Sequence, residues 1–315
     1  AKADGADVRM VYSVSDAVAL ARANPDREVV FLAIGFETTT PPTALGLLEA
    51  QAAGLENFSI LCNHVLTPAA MGAILDVDTP AGEAPSGAGA WDGSGEQNGS
   101  VQGGEAPLAI DGFIGPSHVS VVIGSDAYRF CAEAHGKPVV IAGFEPLDVL
   151  QSILMLVRQV NAGEARVENQ YIRAVTPAGN ARAQALVDDV FRVRESYEWR
   201  GLGEIPRSAL ELRPAYATFD AERRFGLEYR PAAGTKSCEC PAILRGVKKP
   251  TDCKLFATAC TPENPLGSCM VSDEGACAAY YTYGRFRDEA ERAAKAQAEA
   301  RRQQRAARRR EAASS

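Results

Sequence analysis

The chain has 315 residues, of which 46% are hydrophobic and 23% are charged, and its formal net charge is -7. This composition is that of a soluble globular protein, long enough for one full core and for a second domain. Two function classes are excluded. The longest apolar run, residues 29–34, is too short to cross a membrane, and no broad basic face for nucleic acid is visible outside the C-terminal tail.

Strands and helices alternate through the first 76 residues. Thr, Pro and Gly mark the ends of the helices, and the apolar run at 28–36 is continuous enough for a buried parallel strand. The predicted elements are, in order, a β-type run at 8–12, a helix capped by Ser15 and ending at Asn24, the strand at 28–36, a helix from about Pro41 to Gly54, a strand at 58–62 and a helix at 67–76.

Two segments depart from this pattern. Residues 77–107 are rich in Gly, Ala and Ser, and the stretch from Asp76 to Asp111 carries seven acids and no Lys or Arg. Such a composition predicts a disordered acidic surface insertion. Residues 285–315 carry ten basic and five acidic side chains in helix-favouring proportions without an apolar face, which predicts a basic tail that is helical or disordered.

The alternation resumes after the insertion, with strands near 110–115 and 138–144 and helices at 127–135 and 146–160. The repeated order of strand, turn and helix predicts an α/β fold with a Rossmann-like parallel sheet, formed by residues 1–76 and 108–163. Residues 164–237 then form a helical or mixed connector. Residues 238–284 form a separate cysteine-rich lobe.

Polar residues at the ends of the predicted strands are the first candidates for a site. Glu37 and Glu145 both follow a strand in a repeated Gly-Phe-Glu motif, at the edge where open α/β sheets bind ligands. Each is a candidate acid–base group or a helix cap. His118, on a turn after Gly-Pro-Ser, is the best single histidine for a functional role. We interpret Cys62 as a packed thiol and His64 as an edge residue, because no third residue is evident to orient the imidazole.

Six of the eight cysteines lie in one stretch, and this clustering needs a local chemical reason. They are Cys238, Cys240, Cys253, Cys260, Cys269 and Cys277. Three interpretations remain open. Disulfides are one, although no secretory signal precedes them. Structural zinc is another, although the stretch has neither a C-x2-C pair nor a His. An iron–sulfur cluster held by four thiolates is the third and is favoured by the wide, irregular spacing.

A set of motifs distributed along the chain resembles the HypD family of NiFe-hydrogenase maturation proteins. The motifs are IGFETTTP, LCNHVLTPAAM, DGFIGPSHVSVVIG, PVVIAGFEPLDVLQSILMLVRQ, ENQYIRAV, WRGLGEIP and CEC…CKLFATACTPENPLGSCMVSDEGACAAYYTYGR. The resemblance extends over nearly all of residues 1–285 apart from the insertion. It implies a cytoplasmic α/β scaffold with a C-terminal 4Fe-4S cluster.

The resemblance also implies roles and partners. It implies that Cys238, Cys253, Cys260 and Cys269 ligate the 4Fe-4S cluster and that Cys240 and Cys277 form a redox thiol pair. Glu37 and His118 are secondary candidates. The implied partners are a HypC-type chaperone, a HypE-type cyanide donor and, indirectly, the hydrogenase large subunit that receives an iron centre with cyanide and carbon monoxide. The alternatives are a ferredoxin-linked thiol-disulfide oxidoreductase and a zinc-stapled binding module.

One departure from the family pattern concerns the start of the chain. The family's iron-binding cysteine, in a CGGH-type motif, and its CPVC-type redox pair have no counterpart between Ala1 and Val65. The expectation is that the sequence is a truncated form. The iron of the Fe(CN)2CO precursor would then be held mainly by the missing N-terminal portion.

Overall fold

A computed structural model describes residues 2–75, 110–228 and 237–284. The predicted insertion at 77–107 and the predicted tail at 285–315 lie outside the described residues. The chain divides into two compact units, Ala1–Pro231 and Ala232–Ser315, and each is described by itself. Within the described ranges, no helix is both long and apolar enough to span a membrane.

The first unit alternates strands with helices. Its strands are β1 (Val29–Gly35), β2 (Phe58–His64), β3 (Phe113–Gly115), β4 (Val139–Ile141), β5 (Val167–Asn169), β6 (Phe191–Val193), β7 (Ser196–Trp199), β8 (Gly203–Pro206) and β9 (Leu210–Leu212). Its helices are α1 (Val14–Ala23), α2 (Thr40–Ala52), α3 (Thr67–Leu75), α4 (Ser117–Ile123), α5 (Arg129–Glu133), α6 (Pro146–Ala162), α7 (Ala181–Val190) and α8 (Ala221–Arg224).

The β1–β2 pair and the three-stranded sheet of β3, β4 and β5 are parallel. β1 pairs with β2 along its whole length, and β4 lies between β3 and β5 in a second parallel sheet. Two short antiparallel pairs, β6 with β9 and β7 with β8, follow. The predicted α/β class with parallel sheets is confirmed, and the 164–237 region supplies β5 to β9 of the described strands.

Each parallel sheet has its own hydrophobic core. The core on β1 and β2 includes the buried residues Leu47, Phe58, Ile60, Val187 and Phe191. The core on β4 includes Tyr128, Cys131, Val139, Ile141 and Val175. The long sequence stretches between the paired strands are the crossover connections that parallel pairing requires, but the strands form two parallel sheets, where the sequence pattern predicted one.

The burial of β1 differs from the prediction. Its apolar run indicated a strand buried on both faces, but Val30, Leu32 and Ile34 are 45%, 55% and 70% exposed. Alternate residues of a strand point to opposite faces, so β1 contributes only one face to the core. The expectation of full burial was wrong because a continuous apolar run does not reveal how many layers cover it.

The entry into α1 also differs. No strand forms at 8–12, and the N-cap is Ser13 rather than Ser15. Asp16 accepts hydrogen bonds from the backbone N–H groups of Tyr12 and Ser13, and Ser13 Oγ accepts one from Asp16 N–H. This reciprocal capping box fixes the start of the helix at Ser13.

Helix α6 presents an apolar face to solvent. Its buried residues are the polar Asp148, Ser152 and Gln159, whereas Leu147 and Leu150 are 79% and 62% exposed. Asp148 is paired with the guanidinium of Arg173, and its pKa falls to about 2, mainly because of the hydrogen bond from that guanidinium.

One side-chain amide holds the end of α1 against the start of β2. Asn57 Nδ2 lies 2.9 Å from each of three carbonyl oxygens, those of Ala21, Asn24 and Arg27. Ala21 O also accepts the N–H of Asn24, and Asn24 O accepts the N–H of Arg27, so the amide adds a side-chain partner to the turn that ends α1. Asn57 therefore closes the C-terminal end of α1 from a position 30 or more residues away.

The second unit has little regular structure. Its described α-helices are the single-turn segments α9 (Cys240–Leu244), α10 (Ser268–Val271) and α11 (Ala276–Ala279), and it also has a one-turn 3-10 helix at Pro250–Asp252 and a π-helical turn at Tyr280–Gly284. Its core consists mainly of cysteine side chains, joined by Ile243, Met270 and Ala278. Helices this short are marginal by themselves, so the sulfur atoms and their few apolar neighbours organise the unit.

Candidate functional site

All eight cysteines carry free thiols. The disulfides that the sequence left open are therefore absent from the structure. Cys62 and Cys131 are buried in the first unit, each with its pKa raised by burial, which confirms that they are packed core thiols. In the second unit, five cysteines are buried and Cys238 is half-buried.

The six cysteines of the second unit lie on turns and single-turn helices. Cys240 begins α9, Cys269 lies in α10 and Cys277 lies in α11. Cys253 directly follows a one-turn 3-10 helix, and Cys260 ends a tight loop. The irregular sequence spacing thus reflects a different short element at nearly every cysteine.

A cavity opens among these side chains. It is lined by Cys238, Cys240, Cys253, Cys260 and Cys277, together with Ile243, Leu255, Phe256, Gly267 and Met270. Five thiols and an otherwise apolar wall therefore surround one space. Cys269 is buried but does not line the cavity.

The sulfur atoms form a connected series. The Cys238 thiol donates to Cys240 Sγ at 3.1 Å. The pKa of Cys240 is raised, first by a hydrogen bond with Cys269 and then by burial. The pKa of Cys269 is raised to about 12: its bond with Cys240 acts to lower the value, but its bond with Cys277 and burial outweigh that effect. Burial and Cys240 raise the pKa of Cys238 to about 11.

The loop before Cys260 is held in an uncommon conformation. Ala257 has a φ of +56°, its N–H donates to Cys260 O, and Cys260 N–H donates to Leu255 O. Leu266 N–H lies 3.4 Å from Cys260 Sγ and donates to it. A non-glycine residue at positive φ is strained, so the surrounding bonds hold Cys260 on the cavity wall at some cost.

Aromatic rings flank the cavity on one side. The ring of Phe256, which lines it, meets the rings of Tyr280 and Tyr281 edge-on, with centroids 6.1 Å apart in both pairs. Edge-to-face packing of this kind is favourable. The three rings place bulky apolar surface beside the thiols and so limit access of water.

The donor set fits an iron–sulfur cluster. Every side chain on the cavity wall that can act as an anionic ligand is a thiol, and thiolates are the usual ligands of such clusters. A Cβ atom at Gly267 would overlap two of the sulfurs, so the chain leaves space there. Within the described ranges, no three His, Cys, Asp or Glu side chains are grouped closely enough for a single ion.

The other candidates belong to the first unit. Glu37 is buried and accepts from Thr67, the first residue of α3, so it caps a helix distant in sequence, whereas the prediction was a cap formed with nearby backbone N–H groups. Glu145 stands at the N-cap of α6 without a side-chain cap hydrogen bond, so that capping interpretation was wrong. His118 is exposed, with its ring 4.6 Å from that of Phe144.

His64 is not at an open edge. It is 1% exposed, with Nε2 at 3.1 Å from Thr43 Oγ1 and Nδ1 at 3.3 Å from Thr39 Oγ1. Burial lowers its pKa to about 4. The ring is neutral and fully engaged at neutral pH, which makes it a structural residue of the β1–β2 sheet.

Sequence reasoning missed Gly267. A glycine directly before Ser-Cys in the cysteine-rich stretch was the only available signal, and this signal becomes informative only when neighbouring sulfurs are located.

Fold and site together define a class: an α/β protein with parallel sheets and a separate, thiol-rich C-terminal unit. The family model described as HypD, hydrogenase formation hypA family, matches residues 1–284. The chain belongs to this family.

Curated relatives agree with the family match. The chain is 62% identical over 288 residues to the hydrogenase maturation factor HypD of Cupriavidus necator and 61% identical over 287 residues to that of Azotobacter vinelandii. Each alignment covers 91% of this chain and 70% of the relative. The Escherichia coli HypD is 44% identical over 290 residues, which cover 92% of this chain and 70% of the relative.

Proposed function

We propose that this chain is an iron–sulfur scaffold in the maturation of NiFe hydrogenases. In this role it supports assembly of the Fe(CN)2CO centre in the cytoplasm, together with a HypC-type chaperone and a HypE-type cyanide donor, before the centre reaches the hydrogenase large subunit. Family membership and the names of the relatives support the maturation role. The single observation that supports an iron–sulfur group is the cavity lined by five thiols.

The geometry favours a particular division of the six thiols. Cys240 and Cys269 interact directly, and this contact is the largest influence on the pKa of each. Cys269 is also the one cysteine of the six that does not line the cavity. We therefore assign Cys240 and Cys269 as the redox pair.

The four remaining thiols line the cavity and are the proposed ligands: Cys238, Cys253, Cys260 and Cys277. This division exchanges the roles that the family resemblance implied for Cys269 and Cys277. It uses each thiol once and leaves no cavity-lining cysteine without a role.

A bound 4Fe-4S cluster supplies one-electron transfer. The chain's own residues hold it as thiolates and exclude water with Phe256, Leu255 and Met270. The Cys240–Cys269 dithiol gives up two electrons and two protons when its disulfide forms, and it takes them back when the disulfide is reduced. A dithiol in contact with a ligand sulfur is suited to pass reducing equivalents between the cluster and a partner.

Anaerobic purification and metal analysis test the proposal. The full chain should contain about four iron and four sulfide per molecule and absorb broadly in the visible range until reduced or exposed to air. Stoichiometric zinc without sulfide would contradict it.

Single serine variants test the thiol assignment. C253S, C260S and C277S should lose iron, whereas C240S and C269S should retain it. C62A, which removes a core thiol of the first unit, serves as the control. Retention of iron in C277S together with loss in C269S would restore the division implied by the resemblance.

A further inference from the structure

Gly267 is a glycine whose backbone does not require glycine. It is the N-cap of α10, with φ -111° and ψ 155°. This is extended backbone, which any residue adopts without strain. The reason for a glycine here therefore lies in the space beside its Cα atom.

That space is filled by sulfur. A Cβ atom at position 267 would lie less than 3.0 Å from both Cys238 Sγ and Cys240 Sγ, a separation that real Cβ atoms do not show. The two sulfurs are themselves 3.1 Å apart. Both side chains are short and anchored at the start of α9, so a methyl group at 267 must displace at least one of them.

We propose that Gly267 is the positioning residue that holds the sulfur of a cluster ligand, Cys238, against the sulfur of a redox thiol, Cys240. This inference rests on the proposed function for the roles of the two thiols, but the steric argument depends only on the structure. The absence of a side chain at 267 permits the sulfur contact. Through that contact, the dithiol and the cluster are neighbours.

The first test uses the cluster-loaded full chain and the variant G267A. We expect G267A to bind less iron and sulfide, or to bind them with a reduction potential different from that of the parent. The matched control is G72A in α3, where an added Cβ would meet only Phe130 Cε2 at an ordinary 3.7 Å. Equal iron content and equal potential in G267A and the parent would overturn the inference.

The second test needs no cluster. The metal-free full chain is oxidised with diamide: two thiols lose two protons and two electrons, an S–S bond forms, and the azo group of diamide becomes a hydrazine. Peptide mapping then follows the Cys238–Cys240 disulfide. Because a misplacement of about 1 Å can cost a reaction 100-fold, we expect this disulfide to form about 10- to 100-fold more slowly in G267A. An unchanged rate would contradict the inference.

A mutant cycle based on urea unfolding tests the inference even if G267A is less stable than the parent. In urea unfolding, G267A should lower the midpoint of the second unit in the parent background but not in a C238A/C240A background, where the sulfurs are gone. Equal shifts in both backgrounds would show that the sulfurs are not the cause. If the parent protein never binds iron, the proposed function fails while the diamide rates and this cycle still decide the role of Gly267.

Discussion

The carboxylate of Glu37, at the end of β1, accepts both hydrogen bonds that Thr67 offers: the backbone N–H at 2.8 Å and the hydroxyl at 2.9 Å. Thr67 begins α3, so a residue 30 positions earlier caps this helix. The carboxylate is 2% exposed. Burial raises its pKa to about 7, although the bonds from Thr67 act to lower it.

This raised pKa makes the stability of the first unit depend on pH. Since the folded chain holds the proton more tightly than the unfolded chain, stability contributed by protonated Glu37 is lost as pH rises from about 4.5 to about 7. Glu37→Gln cannot ionise; it keeps one acceptor oxygen for the Thr67 N–H, and its NH2 group can donate to the Thr67 hydroxyl oxygen in place of the bond that the hydroxyl now donates. We expect the variant to gain on the order of 3 kcal/mol relative to the parent at pH 8, and little at pH 4. Urea unfolding across pH 4–8 measures this difference.

The shifted pKa of His64 changes the stability of the first unit with pH in the direction opposite to that of Glu37. Its folded pKa of about 4 lies below the usual histidine value of 6.5, so the stability that it contributes is present above pH 6.5 and is lost as pH falls towards 4. In His64→Gln, we expect the unfolding free energy to stop declining over that window. At neutral pH the variant should be less stable, because the contact with Phe191 is lost.

The two groups oppose each other between about pH 4.5 and 6.5. The parent should therefore show a nearly flat stability profile there, and each single variant should reveal the slope of the other group. If the unfolding free energy of the parent changes steeply with pH in this window, and neither substitution alters that slope, the pKa shifts assigned to Glu37 and His64 are both contradicted.

Gly124, the C-cap of α4, and Gly179 leave no room for a side chain on either residue, because an added Cβ on each would overlap the backbone of the other's segment. A Cβ at Gly124 would overlap Pro177 O, and φ is +83°. We expect Gly124→Ala to cost more than about 3 kcal/mol, because strain and overlap add. Gly163→Ala, at φ +65° with no atom within 4 Å of the added Cβ, should cost only about 1 kcal/mol. Chemical unfolding gives the loss of unfolding free energy in each variant. The difference between the two losses is the cost of the steric overlap at residue 124, because Gly163→Ala introduces backbone strain without overlap.

Ala257 allows the reverse substitution, in which an alanine at positive φ is replaced by glycine. Its φ of +56° suits glycine, so we expect Ala257→Gly to stabilise the second unit by about 1 kcal/mol. Ala259→Gly, at a neighbouring position without positive φ, should be neutral or destabilising. The urea midpoint of the second unit, followed by chemical labelling of its six cysteines, distinguishes the two. A loss of stability in Ala257→Gly would mean that the loop around Cys260 is not strained.

The elements of the first sheet were predictable because their signals are local. The apolar run of β1, the Thr-Pro start of α2 and the strand before His64 each depend on residues close in sequence. The partner of Glu37 was not predictable, because the choice between its own helix and α3 depends on how the sheet brings distant segments together. The exposure of Ile34 was missed for the same reason.

The cysteine-rich site was predictable only as a cluster. Its uneven distribution in the sequence required a common cause, but the periodicities that identify helices and strands are absent there. Which sulfurs face the cavity depends on loops such as 253–260, whose course is fixed by tertiary contacts. The separation of Cys269 from the cavity and the role of Gly267 therefore required coordinates.

The amide of Asn57 has a consequence for how the protein ages. Spontaneous hydrolysis of this side chain would replace an NH2 group, whose two N–H bonds are shared among three carbonyl oxygens, with a negatively charged oxygen that repels all of them. The mass would increase by only about one dalton, but the hydrogen bonds that join the end of α1 to the start of β2 would be lost. Long storage at alkaline pH should therefore produce a subpopulation in which protease cuts first near residue 24.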